Sequence, residues 1–244
     1  MIFRTFIMSD YDRKELISLA NISHDIGLYN DSFDYMKQVI KMSTPLSCDE
    51  RWLVYLNHKS MKDHVSKCLD SLKRISIEDH LRLAIKDKIK SKHDRISDEF
   101  IELTESYWIK RDDDPEAVID YKFFKGCSYL EKAFFTLEIY EEDEGKDEGE
   151  GDNNVKKAKE LFEEAFKLAK KNLSPAHLIR LFIARNLSET YNYMGSPDDL
   201  SIAKEAYENG ISHLHELDGD LKSKSEFLLD CLKNQIERFS TDDN

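Results

Sequence analysis

Residues 158–197 read AKELFEEAFKLAKKNLSPAHLIRLFIARNLSETYNYMGSP and contain two helical patterns separated by a proline. Apolar residues recur every three or four positions on both sides of Pro175, which predicts two amphipathic helices. Proline is tolerated in the first turn of a helix and interrupts a helix elsewhere. Pro175 therefore separates the two helices, and Pro197 ends the second one.

The same pattern of apolar stripes and breaks extends over the whole chain, so we predict an all-α fold of nine antiparallel helices and no strand. The breaks lie at Pro45, Pro115, Pro175, Pro197, Gly27, Gly195 and Gly219. The predicted helices span about 11–27, 31–43, 47–75, 77–110, 115–141, 154–172, 176–194, 198–215 and 220–239. Core packing explains such stripes without any functional role.

Composition limits the classes of function. The 244 residues are 40% hydrophobic and 35% charged, which suits one helical domain or two small ones. We expect a single domain over residues 1–244 with short flexible termini. The net charge of −13 argues against nucleic acid as a partner, because duplex binding relies on clustered Lys and Arg. No apolar run approaches the roughly 20 residues of a membrane span.

One segment is strongly acidic. Residues 138–152, EIYEEDEGKDEGEGD, contain nine acidic residues, one lysine and three glycines. Such a composition buries little apolar surface, so we predict a mobile loop at about 141–153. The spacing does not match a calcium-binding loop, since Glu148 occupies the position of the required glycine when Asp143 is placed first.

No catalytic or metal-binding motif is apparent, so we predict no enzyme activity, no cofactor and no metal. His213 and His215 are two residues apart and diverge on a helix. The four cysteines show neither a CxxC motif nor zinc-ligand spacing, and reduced structural thiols are the simpler interpretation. With no signal-like N-terminus, this favours a cytoplasmic protein.

Local sequence and helix order together resemble the 14-3-3 protein family over roughly residues 11–240. The resemblance lies in LSCDERWLVYLNHKS (46–60), YKFFKGCSYLEKA (121–133), residues 158–214, and SEFLLDCLKNQIERF (225–239). It implies a concave groove that binds extended phosphoserine or phosphothreonine segments of partner proteins. The third and fifth helices supply the basic wall of that groove, and the seventh and ninth the apolar wall.

The resemblance carries several groove residues over to this chain. Lys59 matches the groove lysine, and Asn186 matches an asparagine that holds the ligand backbone. Gln235 replaces a second asparagine, and Phe239 replaces a tryptophan and loses its indole donor. Two apolar groove positions are occupied by Leu228 and Cys231.

The implied phosphate pocket is altered. Ser66 stands in place of an arginine, and Leu130 and Glu131 replace an Arg-Tyr pair, while Asp63 adds a negative charge near Lys59. Two lost charge-assisted contacts remove about 3–6 kcal/mol, or ~10²- to 10⁴-fold in affinity. Lys62, Arg185 and Lys132 are candidate compensating contacts for an anion, although all three are also consistent with surface charges.

The resemblance also implies a homodimer or heterodimer with a changed interface. The matching positions are Ile22, Ile26, Leu28, Cys68, Leu72, Ile85, Lys88 and Lys92. An arginine–glutamate pair of the family maps to Leu28 and Lys92, so that ion pair is lost, whereas Asp31 can still pair with Lys88. Apolar burial outweighs one exposed ion pair, so dimerisation remains the prediction.

We therefore predict a divergent 14-3-3-type adaptor in signal transduction with weakened or altered phosphate recognition. One alternative is a chaperone-like or scaffold protein that binds unphosphorylated or acidic segments. Another is a tetratricopeptide-like array, but its two candidate repeats are 45 residues apart instead of 34.

Overall fold

The computed structural model describes residues 11–42, 44–108, 114–140, 148–196 and 199–242. These residues contain nine α-helices and no strand, which confirms the all-α prediction. The helices cluster into two compact units. The prediction of a single domain over 1–244 stays a prediction.

The first unit contains α1 to α4. Their bounds are α1 Arg13–Asp25, α2 Tyr29–Lys41, α3 Cys48–Lys73 and α4 Asp79–Leu103, and a π-helical turn, Thr104–Trp108, follows α4. The second unit contains α5 to α9. Their bounds are α5 Pro115–Tyr140, α6 Glu148–Asn172, α7 Leu178–Tyr193, α8 Asp199–His213 and α9 Gly219–Asp242, and a short 3₁₀ turn, Leu214–Glu216, precedes α9.

Local hydrogen bonds define where α3 begins. The Ser47 hydroxyl accepts from the backbone N–H of Glu50 at 3.3 Å, and the Glu50 carboxylate accepts from the backbone N–H of Ser47 at 2.8 Å. This capping box satisfies two N–H groups that the first turn leaves unpaired. The same carboxylate accepts from Arg13 at 2.5 Å, which ties the start of α1 to α3.

The prediction of one continuous helix over 77–110 is wrong at its C-terminal end, because α4 widens into a π-helical turn after Leu103. The Thr104 hydroxyl donates to the carbonyls of Phe100 and Ile101, both at 2.9 Å. A hydroxyl that competes for these carbonyls favours a departure from regular α geometry.

The predicted acidic loop is shorter than expected. Residues 138–140 belong to α5, and α6 begins at Glu148 instead of residue 154. Packing explains the early start, because Gly151, Asn154 and Val155 are buried and a Cβ on Gly151 would lie 3.8 Å from Leu137 Cδ2 of α5. Negative charge at a helix N-terminus is also favourable. The rest of the predicted loop, residues 141–147, lies outside the described residues.

In the second unit, α5 packs closely against α6 where Gly126 faces the ring of Phe162. A Cβ on Gly126 would lie 2.6 Å from Phe162 Cε1, which is shorter than any normal contact. A side chain at this position therefore requires the ring or the helix to move.

We expect Gly126→Ala to lower the free energy of unfolding by about 1–3 kcal/mol, because overpacking outweighs the gain in helix propensity. Gly151→Ala is the matched control, since its Cβ would make only ordinary contacts and should be neutral or stabilising. Urea unfolding of both variants checks this. Equal stability of the two variants would contradict the packing argument.

Candidate functional site

Lys59 on α3 is the first of the cations that were predicted for the basic wall of the groove. Its ammonium lies 3.1 and 3.3 Å from the two carboxylate oxygens of Asp63, one turn further along. Both side chains are exposed to a large degree, so this ion pair contributes at most about 1 kcal/mol. One turn beyond Lys62, the Ser66 hydroxyl donates to the carbonyl of Lys62 at 3.2 Å and thus bonds to its own helix.

Lys62 is buried, with 2% of its surface exposed, so the interpretation of Lys62 as a surface charge is wrong. The reason is the position of the residue in the buried stripe of α3. His58, Lys62, Val65, Leu69 and Leu72 follow the helical repeat and are all buried. In this conformation the Lys62 ammonium is buried and is not at the surface for a ligand to contact.

A second basic side chain, His58, belongs to the same buried cluster. Its ring stacks on Phe100 of α4, with 4.1 Å between centroids and 17° between the planes. Burial holds the pKa of His58 well below its usual value near 6.5, and the charges of Lys62, His93 and Lys59 lower that pKa further. The ring is therefore neutral at neutral pH, and a proton added to it would be buried beside a lysine.

We expect the first unit to lose stability as the pH falls below about 6.5, the His58 reference pKa. The unfolded chain takes up a proton there that the folded chain does not, so unfolding becomes easier. Burial also lowers the pKa of His177, which lies in the second unit, so acidification should destabilise that unit in the same direction. The test is therefore the change in unfolding free energy between pH 7.5 and 5.5, compared in wild type and His58→Phe by urea titration.

The His58→Phe variant keeps an aromatic ring and removes the titration, so its loss of stability on acidification should be smaller. His80→Phe is the control, because His80 is exposed on α4. An identical pH dependence in wild type and His58→Phe would contradict this account of the buried histidine.

The altered positions on α5 are mostly buried. Leu130 is in the core of the second unit, Glu131 is half-buried, and Lys132 is buried. The interpretation of Lys132 as a surface charge is therefore also wrong. Lys132 is buried because it lies on a buried face of α5, where Ser128, Phe135 and Thr136 are buried as well.

A polar network joins α7 and α9. Gln235 is 5% exposed, and its amide donates to the carbonyl of Arg185 at 3.2 Å and to the Glu189 carboxylate at 2.9 Å. The Arg238 guanidinium donates to the same carboxylate at 2.7 Å. Arg185 itself is exposed, which agrees with its interpretation as a surface charge. Glu189 and Arg238 were not predicted from the sequence, although each lies one turn from a predicted site residue.

The remaining predicted groove residues differ in exposure. The Asn186 amide donates to the carbonyl of Phe182 in its own helix at 2.9 Å. Leu228 and Phe239 are buried and Cys231 is half-buried. Leu228 and Phe239 therefore offer little surface to a ligand, and most of their area stabilises the second unit.

An apolar pocket opens between α7 and α9 with a volume of about 300 Å³. Its lining consists of Leu178, Phe182, Ser223, Lys224, Phe227 and Leu228. Phe227 is 67% exposed, a large fraction for a phenylalanine beside a pocket. Of these six residues, only Leu228 was predicted from the sequence.

The predicted interface residues are exposed with one exception. Ile22, Ile26, Leu28, Cys68, Ile85, Lys88 and Lys92 are exposed. Leu72 is buried in the first unit, so its assignment to the interface is corrected to the core. Leu28, Asp31 and Lys92 also line a depression of about 220 Å³ on this unit.

Comparison with known proteins is decisive for the family. A family model described as 14-3-3 protein matches residues 19–240. The chain belongs to the 14-3-3 family. It is similar to 14-3-3 protein beta/alpha of Homo sapiens, with 24% identity over 243 residues, 95% of this chain and 94% of the relative. It is also similar to 14-3-3 protein theta of Gallus gallus, with 26% identity over 240 residues and the same coverage of both chains.

The family match and the low sequence identities confirm that this chain is a divergent 14-3-3 member. They exclude the alternative of a tetratricopeptide-like array. Membership supports an adaptor that binds partner proteins. Among the described helices, none combines the length and apolar character that crossing a membrane requires.

Proposed function

We propose that this 14-3-3 family member is a non-catalytic, cytoplasmic adaptor that binds segments of partner proteins with a weakened dependence on phosphate. The observation that carries the proposal is the chemistry of α3. Lys59 is engaged by Asp63, and Ser66 occupies the position at which the family resemblance implies an arginine.

Magnitudes support this reading of α3. A guanidinium contact to phosphate contributes about 1.5–3 kcal/mol, whereas the serine hydroxyl at position 66 already donates to its own helix. Leu130 adds nothing, because its side chain is apolar and buried. Affinity for partner segments must then come mainly from apolar contacts and from hydrogen bonds to the ligand backbone.

We also propose that the protein dimerises through the first unit. Ile22 lies in the last turn of α1 and Ile26 directly follows that helix, and the two residues are 57% and 65% exposed. Exposed apolar side chains of this size, four residues apart, favour burial against a partner. The replacement of the family ion pair by Leu28 and Lys92 changes the choice of partner rather than the apolar driving force.

A chaperone-like role without any phosphate dependence is the second candidate function. The observation that favours it is the loss of cationic positions on α3 and α5, together with a kept apolar pocket between α7 and α9. Both functions predict binding of unphosphorylated segments, and they differ in whether Lys59 contributes.

The test of the proposed function is fluorescence anisotropy with an arginine-containing phosphoserine peptide and the same peptide without phosphate. Under the adaptor proposal, Lys59→Glu lowers affinity for the phosphopeptide by roughly tenfold and affects the other peptide less. Lys41→Glu, on an exposed position of α2, is the control and leaves both affinities unchanged. No measurable binding of either peptide to the wild type would refute the proposal.

A further inference from the structure

We infer that the face formed by α7 and α9 selects partner segments in which a bulky apolar side chain lies two residues from an Asp or Glu. This inference rests on the proposed function, since it specifies which segments are bound. It requires no phosphate on the ligand.

The pocket and the exposed Arg185 belong to one continuous face. Leu178, Phe182, Arg185 and Glu189 are spaced by four, three and four residues and therefore form one stripe along α7. The first two line the apolar pocket, and Gln235 of α9 contacts the other two, because its amide donates to the backbone carbonyl of Arg185 and to the Glu189 carboxylate. Since Arg185 follows Phe182 by three residues on this stripe, its exposed side chain is one helical turn from the pocket.

The pocket itself selects an apolar side chain. Four of its six lining residues are apolar, namely Leu178, Phe182, Phe227 and Leu228, and its volume of about 300 Å³ is sufficient for a leucine or phenylalanine side chain. Phe227 is largely exposed without a ligand, so a bound side chain would cover apolar surface that now faces water. Removing such surface from water is the main favourable contribution to association.

The charges on this face indicate why the ligand should also carry an Asp or Glu. Lys224 lies 2.6 Å from Asp220 and Arg238 lies 2.7 Å from Glu189, so both of these cations are paired within the face. Arg185 is exposed and makes no salt bridge with any residue that the structure describes. It is therefore the uncompensated positive charge of this face, and a carboxylate is its complement.

Helix and strand geometry set the spacing. Arg185 lies three residues beyond Phe182, which is about 4.5 Å along the helix axis. In an extended peptide, side chains two residues apart point to the same side and lie about 6.8 Å apart. The long arginine side chain covers the difference, so an apolar residue in the pocket places a residue two positions away next to the guanidinium.

The test uses anisotropy with short labelled peptides whose core is Leu-Ser-Glu, in both residue orders, and their Leu-Ser-Gln, Leu-Ser-Lys and Ala-Ser-Glu counterparts. We expect the glutamate peptide in one of the two orders to bind about threefold to tenfold more tightly than its glutamine counterpart. The lysine peptide should bind more weakly than both, and the alanine peptide should lose most of the affinity.

Arg185→Glu should invert the order of the glutamate and lysine peptides, whereas Lys233→Glu, an exposed change elsewhere on α9, should leave the order unchanged. Circular dichroism confirms that both variants are folded. Equal binding of the three leucine peptides would overturn this inference and leave the proposed function intact. Absence of binding for every peptide, including the phosphoserine peptide described above, would instead refute the proposed function.

Discussion

Ser66→Arg is expected to raise the affinity for a phosphoserine peptide by roughly 10- to 150-fold and to leave the unphosphorylated peptide almost unaffected. The gain corresponds to one restored charge-assisted contact of about 1.5–3 kcal/mol. The Ser66 hydroxyl now donates to the carbonyl of Lys62, so its removal costs no contact with another helix. Asp63 is the main competitor for the new guanidinium, but an exposed ion pair is worth at most about 1 kcal/mol.

Ser71→Arg provides the matched control for this gain. Ser71 is also on α3, and its hydroxyl likewise donates to a carbonyl four residues earlier, at 2.8 Å. The Ser71→Arg substitution adds the same charge as Ser66→Arg, but on a different side of α3. A gain for both variants would point to nonspecific attraction by charge, and no gain for Ser66→Arg would show that position 66 does not reach the phosphate.

Ile22→Glu combined with Ile26→Glu is expected to weaken the dimer by about 10²- to 10⁴-fold. Each buried isoleucine contributes roughly 1.5–3 kcal/mol, and the introduced carboxylates oppose burial at the same positions. Both residues are more than half exposed in the single chain, so the folded monomer should tolerate the change. Sedimentation equilibrium over a range of concentrations measures the effect.

Ile211→Glu is the control for the dimer experiment, because Ile211 is 48% exposed on α8, outside the predicted interface. It should leave the dissociation constant unchanged. A wild-type chain that is monomeric at high micromolar concentration would contradict the proposed dimer, as would a double variant that dimerises normally.

Most of the helices were predictable from the sequence because the proline and glycine positions and the periodic apolar residues indicate the same helix boundaries. Pro115 begins α5, as expected for a proline in a first turn, and the Asp114 carboxylate accepts from the backbone N–H of Glu116 at 3.0 Å. The start of α6 was missed for a physical reason. The acidic composition of residues 148–152 suggested a loop, whereas the packing of Gly151 next to Leu137 is a tertiary effect that composition does not reveal.

The site was predictable only in part. Ser66 and Leu130 stood out because the family resemblance names the residue types expected there. Lys62 was misassigned because its charge was given more weight than its position in the stripe of His58, Val65 and Leu69, which the helical repeat alone would have placed in the core. The ion pair of Glu189 with Arg238 joins two helices that are distant in sequence, so no local pattern indicates it.

The most direct test of weakened phosphate dependence is the ratio of two dissociation constants, that of one peptide without its phosphate divided by that of the same peptide with its phosphate. It should be measured side by side for this chain and for 14-3-3 protein beta/alpha of Homo sapiens. A ratio at least about tenfold smaller for this chain is the predicted result, because the proposal is that this chain makes at least one charge-assisted phosphate contact fewer. Equal ratios for the two proteins would contradict the account, because they would mean that phosphate is still read without the arginine replaced by Ser66.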